Sequence, residues 1–110
     1  MASEQFKTVK ATGVTNSDTT LFTVPSGHVY LVRQMIIVET AGNAEAYNIW
    51  WTDSSDSDAV VYLEKSSTIA ANADAGYQRL FALEAGDTLK CSLDSAGDVD
   101  FTVTFVDQTL

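Results

Sequence analysis

The sequence contains very little of the residue types on which most binding and catalytic chemistry depends. Its 110 residues include one cysteine, one histidine and one proline, and six basic residues against fifteen acidic ones. A single cysteine excludes an internal disulfide and a thiolate-rich metal site. No apolar run approaches the roughly 18 residues that a membrane-spanning helix needs. The first residues contain neither a basic nor an apolar segment, so we expect no secretory signal.

The shortage of basic residues also limits the range of partners. The formal net charge is −9, and such a surface repels phosphate backbones and anionic membranes. We therefore expect binding neither to nucleic acid nor to membranes. An acidic surface instead favours solubility and docking onto a basic partner.

Residues with catalytic potential are equally rare. His28 is the only histidine, and it follows a tight turn at the start of a predicted strand, where an exposed polar residue is common. Nothing in the chain matches a P-loop, a nucleophile elbow or a dinucleotide fingerprint. Cys91 alternates in phase with Leu89 and Leu93, which is typical of a small buried core residue. We predict no enzyme activity, no catalytic residue, no metal and no cofactor.

The residues that are present indicate one domain built from strands. A chain of this length with 45% hydrophobic residues buries one core. Short β-branched and aromatic runs alternate with turns such as Pro25-Ser26-Gly27. Alternation is cleanest near the C-terminus, where Val99, Phe101, Val103 and Phe105 share one face. The sequence predicts an all-β fold, a single antiparallel β-sandwich that is jelly-roll-like.

The expected boundaries follow from the turn residues. Residues 1–5 are expected to form a polar N-terminal arm, and residues 6–110 the sandwich domain. About eight short strands are predicted, at 6–14, 19–24, 28–40, 45–52, 59–64, 76–84, 88–94 and 99–106. For residues 65–75 a wandering loop is preferred over a short helix.

One predicted strand departs from simple alternation. Residues 35–38 read Met-Ile-Ile-Val, apolar at every position. Such a run indicates either a strand covered on both faces or a bulge. In a chain this small, cover on both faces requires a second subunit.

The pair Trp50–Trp51 is the most informative local feature. Adjacent residues of a strand point to opposite faces, so the two indoles do not enter the same core. Ile49 and Trp51 form a coherent inward face, which places Trp50 outside. An outward tryptophan usually marks contact with a partner protein; stacking on a sugar is the competing interpretation.

An acidic loop is a candidate cation site. Asp53, Asp56 and Asp58 alternate with serines, and oxygen ligands at such spacing are compatible with calcium. The spacing does not follow the calcium-loop consensus, and the loop lacks a glycine at the turning position. A solvated loop is the favoured interpretation.

Two turn-and-strand motifs carry a resemblance to a known family. Residues 18–32 read DTTLFTVPSGHVYLV, and residues 83–89 and 95–104 read LEAGDTL and SAGDVDFTVT. The chain resembles small virion β-sandwich proteins of tailed bacteriophages, of the capsid decoration (cement) type. His28 stands where that family usually has a basic residue.

The resemblance implies a structural role in the virion. Decoration proteins of this type bind the major capsid protein as homotrimers on the capsid surface, after synthesis in the host cytoplasm, and stabilise the head. The alternatives are a tail or head-fibre module that binds host-surface glycan, and a non-viral carbohydrate-binding β-sandwich. The expected partner contacts are Trp50, Met35, Ile37 and Phe6.

Overall fold

The computed structural model of the chain describes residues 3–110, which form two antiparallel β-sheets packed face to face. The all-β sandwich prediction is confirmed. The elements are β1 (Ser3–Val14), β2 (Thr19–Thr23), β3 (His28–Glu39), β4 (Glu45–Asp53), a 3-10 turn (Ser54–Asp56), β5 (Ala59–Ile69), β6 (Asp74–Tyr77), β7 (Phe81–Glu84), β8 (Thr88–Leu93) and β9 (Val99–Thr109). Within this described part, no helix is long and apolar enough to cross a membrane.

The strand order is that of a jelly roll. One sheet runs β1-β9-β3-β6, with β7 also paired to β3, and the other runs β2-β8-β4-β5. If β6 and β7 are counted as one interrupted strand, eight strands are divided four to a sheet, and consecutive strands lie in different sheets except for the hairpin of β4 and β5, as in the jelly roll.

Three boundaries differ from the predicted ones. The expected strand at 76–84 is broken, because β6 pairs with residues 35–38 of β3 whereas β7 pairs with residues 29–32. β5 continues to Ile69 through part of the expected loop, and β9 continues to Thr109. Residues 3–110 therefore form nine strands, where about eight were expected.

Residues 3–5 of the expected polar arm continue strand β1. Ser3, Glu4 and Gln5 pair with residues 107–109 of β9, in register with the rest of β1. Backbone pairing needs no apolar side chain, so these polar residues can extend the strand along β9. Met1 and Ala2 lie outside the described residues.

The core contains the side chains that alternation assigns to it. Val99, Phe101, Val103 and Phe105 are at most 2% exposed, as predicted. The rings of Tyr30 and Phe105 stack with centroids 4.5 Å apart. Cys91 is 0% exposed, and burial raises the pKa of its thiol to about 12.

A bulge explains the apolar run at residues 35–38. The register of β3 against β9 shifts between Val32 and Gln34. Before the shift the even positions face inward, and after it the odd positions do, so that Met35 and Ile37 are buried and Ile36 is 42% exposed. Of the two sequence interpretations, the structure contains the bulge, immediately before the run.

Candidate interaction surfaces

The outer face of the β1–β9–β3 sheet presents an apolar row across four strands. Phe6 pairs with Val106, Val106 with Leu31, and Leu31 with Ala82. Paired residues point to the same side of a sheet. Phe6 is 74% exposed and Leu31 is 37% exposed, so the row is open to a partner.

A second row lies further along the same face, and few charges separate the two. Ile36 is paired with Thr102 and with Gly76. The positions between the rows carry uncharged polar side chains, Thr8, Thr104 and Gln34. The guanidinium of Arg33 lies 5.7 Å from the ring centroid of Phe6. Charged side chains also point to this side, because Glu4 pairs with Gln108 and Asp100 with Val38. The uncharged part is therefore confined to the middle of the face.

The four residues predicted to contact a partner differ in their position and exposure. Phe6 lies on the exposed face just described. Met35 and Ile37 are 0% exposed in the core, so the expectation that these side chains contact a partner is corrected. The bulge at Val32–Gln34 turns them inward and leaves Ile36 at the surface.

Trp50 faces away from the core, as predicted, but the expected exposure is wrong. Its side chain is only 6% exposed. Cross-strand neighbours cover it, because Lys90 pairs with it on one side and Tyr62 on the other. The Trp50 and Tyr62 ring centroids are 5.8 Å apart at 49°. Trp51 packs against the core, which is the side that alternation assigned to it.

Trp50 contributes to a groove of about 330 Å³ on the outer face of the β2–β8–β4–β5 sheet. We call it the Trp50 groove. Its lining combines two aromatic rings, two carboxylates and one ammonium with smaller side chains; the residues are Asp18, Asn48, Trp50, Val60, Tyr62, Lys65, Ser92, Leu93 and Asp94. Trp50 was the one member of this set that the sequence singled out as a contact. The others lie on β4, β5 and β8 or, for Asp18 and Asp94, in loops next to β2 and β8, and only the folded chain brings them together.

A hydrogen-bond network orders one carboxylate of the groove. Asn48 Nδ2 donates to Asp94 Oδ1 at 2.9 Å and to Ser92 Oγ at 3.3 Å. The backbone amide of Ser66 donates to Asn48 Oδ1 at 2.8 Å. The hydrogen bond from Asn48, followed by one from Ser66, lowers the pKa of Asp94. Asp94 is therefore anionic at neutral pH.

A cation already occupies the aromatic side of the groove. Lys65 Nζ lies 4.2 Å from the ring centroid of Tyr62, within the range of a cation–π contact. The positive charge of Lys65 also contributes to the lowered pKa of Asp94. The groove thus combines an aromatic face and an ionised carboxylate around one ammonium group.

His28 belongs to a hydrogen-bond network that the sequence did not indicate. Its Nδ1 lies 2.6 Å from Oδ1 of Asp107, and Lys7 Nζ donates to Asp107 Oδ2 at 2.7 Å. Burial tends to raise the pKa of Asp107, but the hydrogen bonds from Lys7 and His28 outweigh it and the pKa is lowered. Because both carboxylate oxygens are engaged, the trio ties β1, β9 and β3 together.

The acidic loop has a structural role at Asp53. Its Oδ1 accepts hydrogen bonds from the amide and the hydroxyl of Ser55, at 3.0 and 2.6 Å, which caps the 3-10 turn. Between residues 3 and 110, no three histidine, cysteine or acidic side chains lie close enough together to hold a metal ion.

At the level of sequence, no protein-family model and no curated protein matches the chain. Solved structures do match its fold. A protein of the Bacillus endospore appendages, described as disulfide-linked pili, is 13% identical with a TM-score of 0.60, over 99% of this chain and 88% of that one. A chain of the acid-stable capsid of Helicobacter pylori bacteriophage KHP30 is 13% identical with a TM-score of 0.55, over 97% and 92%.

A third similar structure comes from another virus. The VP2 subviral particle of infectious bursal disease virus gives 8% identity and a TM-score of 0.56, over 98% of this chain and 37% of that one. Identities this low establish likeness of fold alone. The chain therefore has a β-sandwich fold that is also found in viral capsid and pilus proteins.

Proposed function

We propose that this chain is a virion structural protein with no catalytic role, and specifically a capsid decoration protein. In this proposal it binds the major capsid protein as a homotrimer at the capsid surface and stabilises the head. One observation carries the proposal: an apolar row crosses the outer face of the β1–β9–β3 sheet, with Phe6 and Leu31 exposed in it and Ile36 exposed further along.

The dimensions of this face support a specific protein contact. β1 and β3 have 12 residues each and β9 has 11. At about 3.4 Å per residue and about 4.8 Å between strands, four strands cover roughly 40 Å by 19 Å, or about 750 Å². A standard protein interface buries about 800 Å² per partner. The face is therefore large enough for one subunit contact.

A closed oligomer fits the chemistry of the molecule. A head-to-tail contact that closes into a ring hides apolar surface without producing filaments. A trimer also attaches to a lattice at three points, so the second and third contacts become effectively intramolecular. The motifs at residues 18–32 and 83–104 support the phage assignment, and the fold is shared with capsid proteins.

The test begins with the mass of the chain in solution. Sedimentation equilibrium of the full chain is expected to give three times the chain mass at micromolar concentration. Leu31→Asp adds a charge to the centre of the face and should shift the equilibrium to monomer. Val61→Asp is the matched control, because Val61 is as exposed as Leu31 but lies on β5 of the other sheet, outside the lining of the Trp50 groove.

Attachment is tested separately by co-sedimentation with capsids assembled from the major capsid protein encoded in the same genome. Saturable binding that Leu31→Asp weakens supports the proposal. A chain that remains monomeric at 100 µM and does not sediment with those capsids would overturn it.

A further inference from the structure

We propose that the Trp50 groove binds a basic side chain, preferably an arginine, that a partner protein presents to it. The inference deepens the proposed function and rests on it for the partner's identity as a virion protein. The argument uses the aromatic ring of Tyr62, the carboxylates of Asp18 and Asp94, and the position of Lys65.

Lys65 marks the place where an incoming cation binds. Its ammonium lies over the Tyr62 ring at 4.2 Å, where the negative ring face attracts positive charge. Lys65 is an exposed residue on an edge strand of its sheet, so its long side chain can swing aside. Arginine is suited to replace it, because a planar guanidinium stacks on an aromatic ring and pairs with a carboxylate at the same time.

The carboxylates of the groove are arranged for such a pairing. Asp94 is oriented by Asn48, and it is ionised in the folded state. Asp18 lies on the groove lining as well. A carboxylate that is already held in place costs less conformational entropy to pair. The net charge of −9 also attracts basic partners before contact.

The same geometry disfavours a sugar. A groove of about 330 Å³ is large enough for either one long side chain or a small saccharide. Stacking on a sugar needs an open aromatic face, but Trp50 is only 6% exposed. A neutral sugar that displaces Lys65 from the Tyr62 ring also forms no ion pair with Asp94, whereas an arginine does. The observations therefore favour a cation as the occupant.

The experiment titrates the isolated chain with a short glycine-flanked peptide that contains one arginine. The same peptide with citrulline, which has the shape of arginine without its charge, serves as the comparison. Binding is followed by NMR at the indole N–H of Trp50, which lines the groove. We expect saturable shifts with the arginine peptide, and at least a threefold weaker response with citrulline, from the lost cation–π contact and ion pair.

Matched variants separate the groove from general attraction to an acidic protein. Lys65→Met and Lys10→Met each change the net charge from −9 to −10, but only the first removes the internal competitor. Lys65→Met should therefore strengthen arginine binding by roughly threefold more than Lys10→Met. Tyr62→Leu leaves the charge unchanged and should weaken binding. Tyr62 is 47% exposed, so this variant should keep the fold, which the NMR spectrum verifies.

Two outcomes would overturn the inference. Equal effects of Lys65→Met and Lys10→Met, with Tyr62→Leu unchanged, would mean general electrostatic attraction. Tighter binding of lactose or of an N-acetylglucosamine oligomer at the same resonances would make the groove a glycan site. Because the assay needs neither capsids nor oligomers, its result is independent of the sedimentation tests above.

Discussion

His28 Nδ1 lies 2.6 Å from Oδ1 of Asp107, and this contact joins the first residue of β3 to β9 across 79 positions of sequence. An ionised carboxylate only accepts hydrogen bonds, so the imidazole donates through Nδ1. The other carboxylate oxygen accepts from Lys7 of β1, and this bond raises the pKa of the lysine. One buried carboxylate thus holds one end of three strands.

Replacing Asp107 by asparagine should lower the melting temperature at pH 7 and flatten its decline in acid. The pKa of Asp107 is lowered in the folded state. Its contribution is therefore complete above the unfolded pKa of about 3.9 and is lost as the pH falls through the lower folded value. Thermal melts from pH 7 to pH 2 measure the difference. Asp56→Asn, an equal charge change in an exposed turn, should not alter the slope; parallel wild-type and Asp107→Asn curves would contradict the prediction.

Glu39→Gln should loosen two loops at once. The buried Glu39 carboxylate accepts hydrogen bonds from the amides of Ala41, Gly42 and Asn43 after β3, and of Asn72 between β5 and β6; the distances run from 2.7 to 3.0 Å. The glutamine replaces one acceptor oxygen with a donor group. Amide hydrogen exchange at these four residues should become faster.

Lowering the pH should weaken the same four hydrogen bonds to Glu39. The hydrogen bond from the Asn72 amide, opposed by burial and assisted by the other three amides, lowers the pKa of Glu39. The four hydrogen bonds to Glu39 are therefore at full strength above the ordinary glutamate pKa of about 4.3, and they weaken as the pH falls below it. Glu84→Gln, at an exposed position on β7, is the control. Unchanged hydrogen exchange at all four amides in Glu39→Gln would show that the Glu39 carboxylate does not hold the two loops.

Replacing a phenylalanine by alanine should strongly lower the stability of the folded chain at Phe101 but hardly affect it at Phe6. Phe101 is 0% exposed at the centre of the core, and its truncation should lower the free energy of unfolding by about 3–5 kcal/mol. Phe6 is 74% exposed, and its truncation should change the stability of the monomer by less than about 0.5 kcal/mol. Urea denaturation measures both. A loss above about 1 kcal/mol in monomeric Phe6→Ala would mean that the ring stabilises the subunit itself.

Cys91 should resist thiol reagents while the chain is folded. Burial raises its pKa to about 12, so very little thiolate forms at pH 8, and the core blocks access. Ellman's reagent should react with the unfolded chain in seconds but with the native chain only as fast as it opens. Rapid stoichiometric reaction of native protein would show that the strand around Cys91 opens readily.

Alternation predicted the buried side chains of strands that stay regular. The inward residues of β9 and the inward position of Cys91 in β8 were predicted correctly because each strand has one buried face. The same rule failed to show that Met35 and Ile37 are buried, because a bulge reverses the parity of β3 midway. A bulge depends on the neighbouring strand, which a single segment does not reveal.

The exposure of Trp50 was predicted wrongly for a related reason. Alternation correctly placed it outside the core, but its cover comes from Tyr62 and Lys90, which lie 12 and 40 positions away. The break between β6 and β7 was also not predicted from the sequence, because it arises where two segments pair with different parts of β3. The local sequence indicates which face of the sheet a side chain is on, whereas strand pairing determines which residues lie beside it.

The fold class, the inward residues of the regular strands and the acidic character of the surface all follow from the amino-acid sequence. These properties depend on composition and on a period of two, which are local. Which side chains meet depends on the arrangement of the strands in three dimensions. This arrangement creates the row from Phe6 to Ala82, the Trp50 groove and the pairing of Asp107 with Lys7 and His28. These contacts join residues far apart in the chain, and their geometry is set by strand order and register.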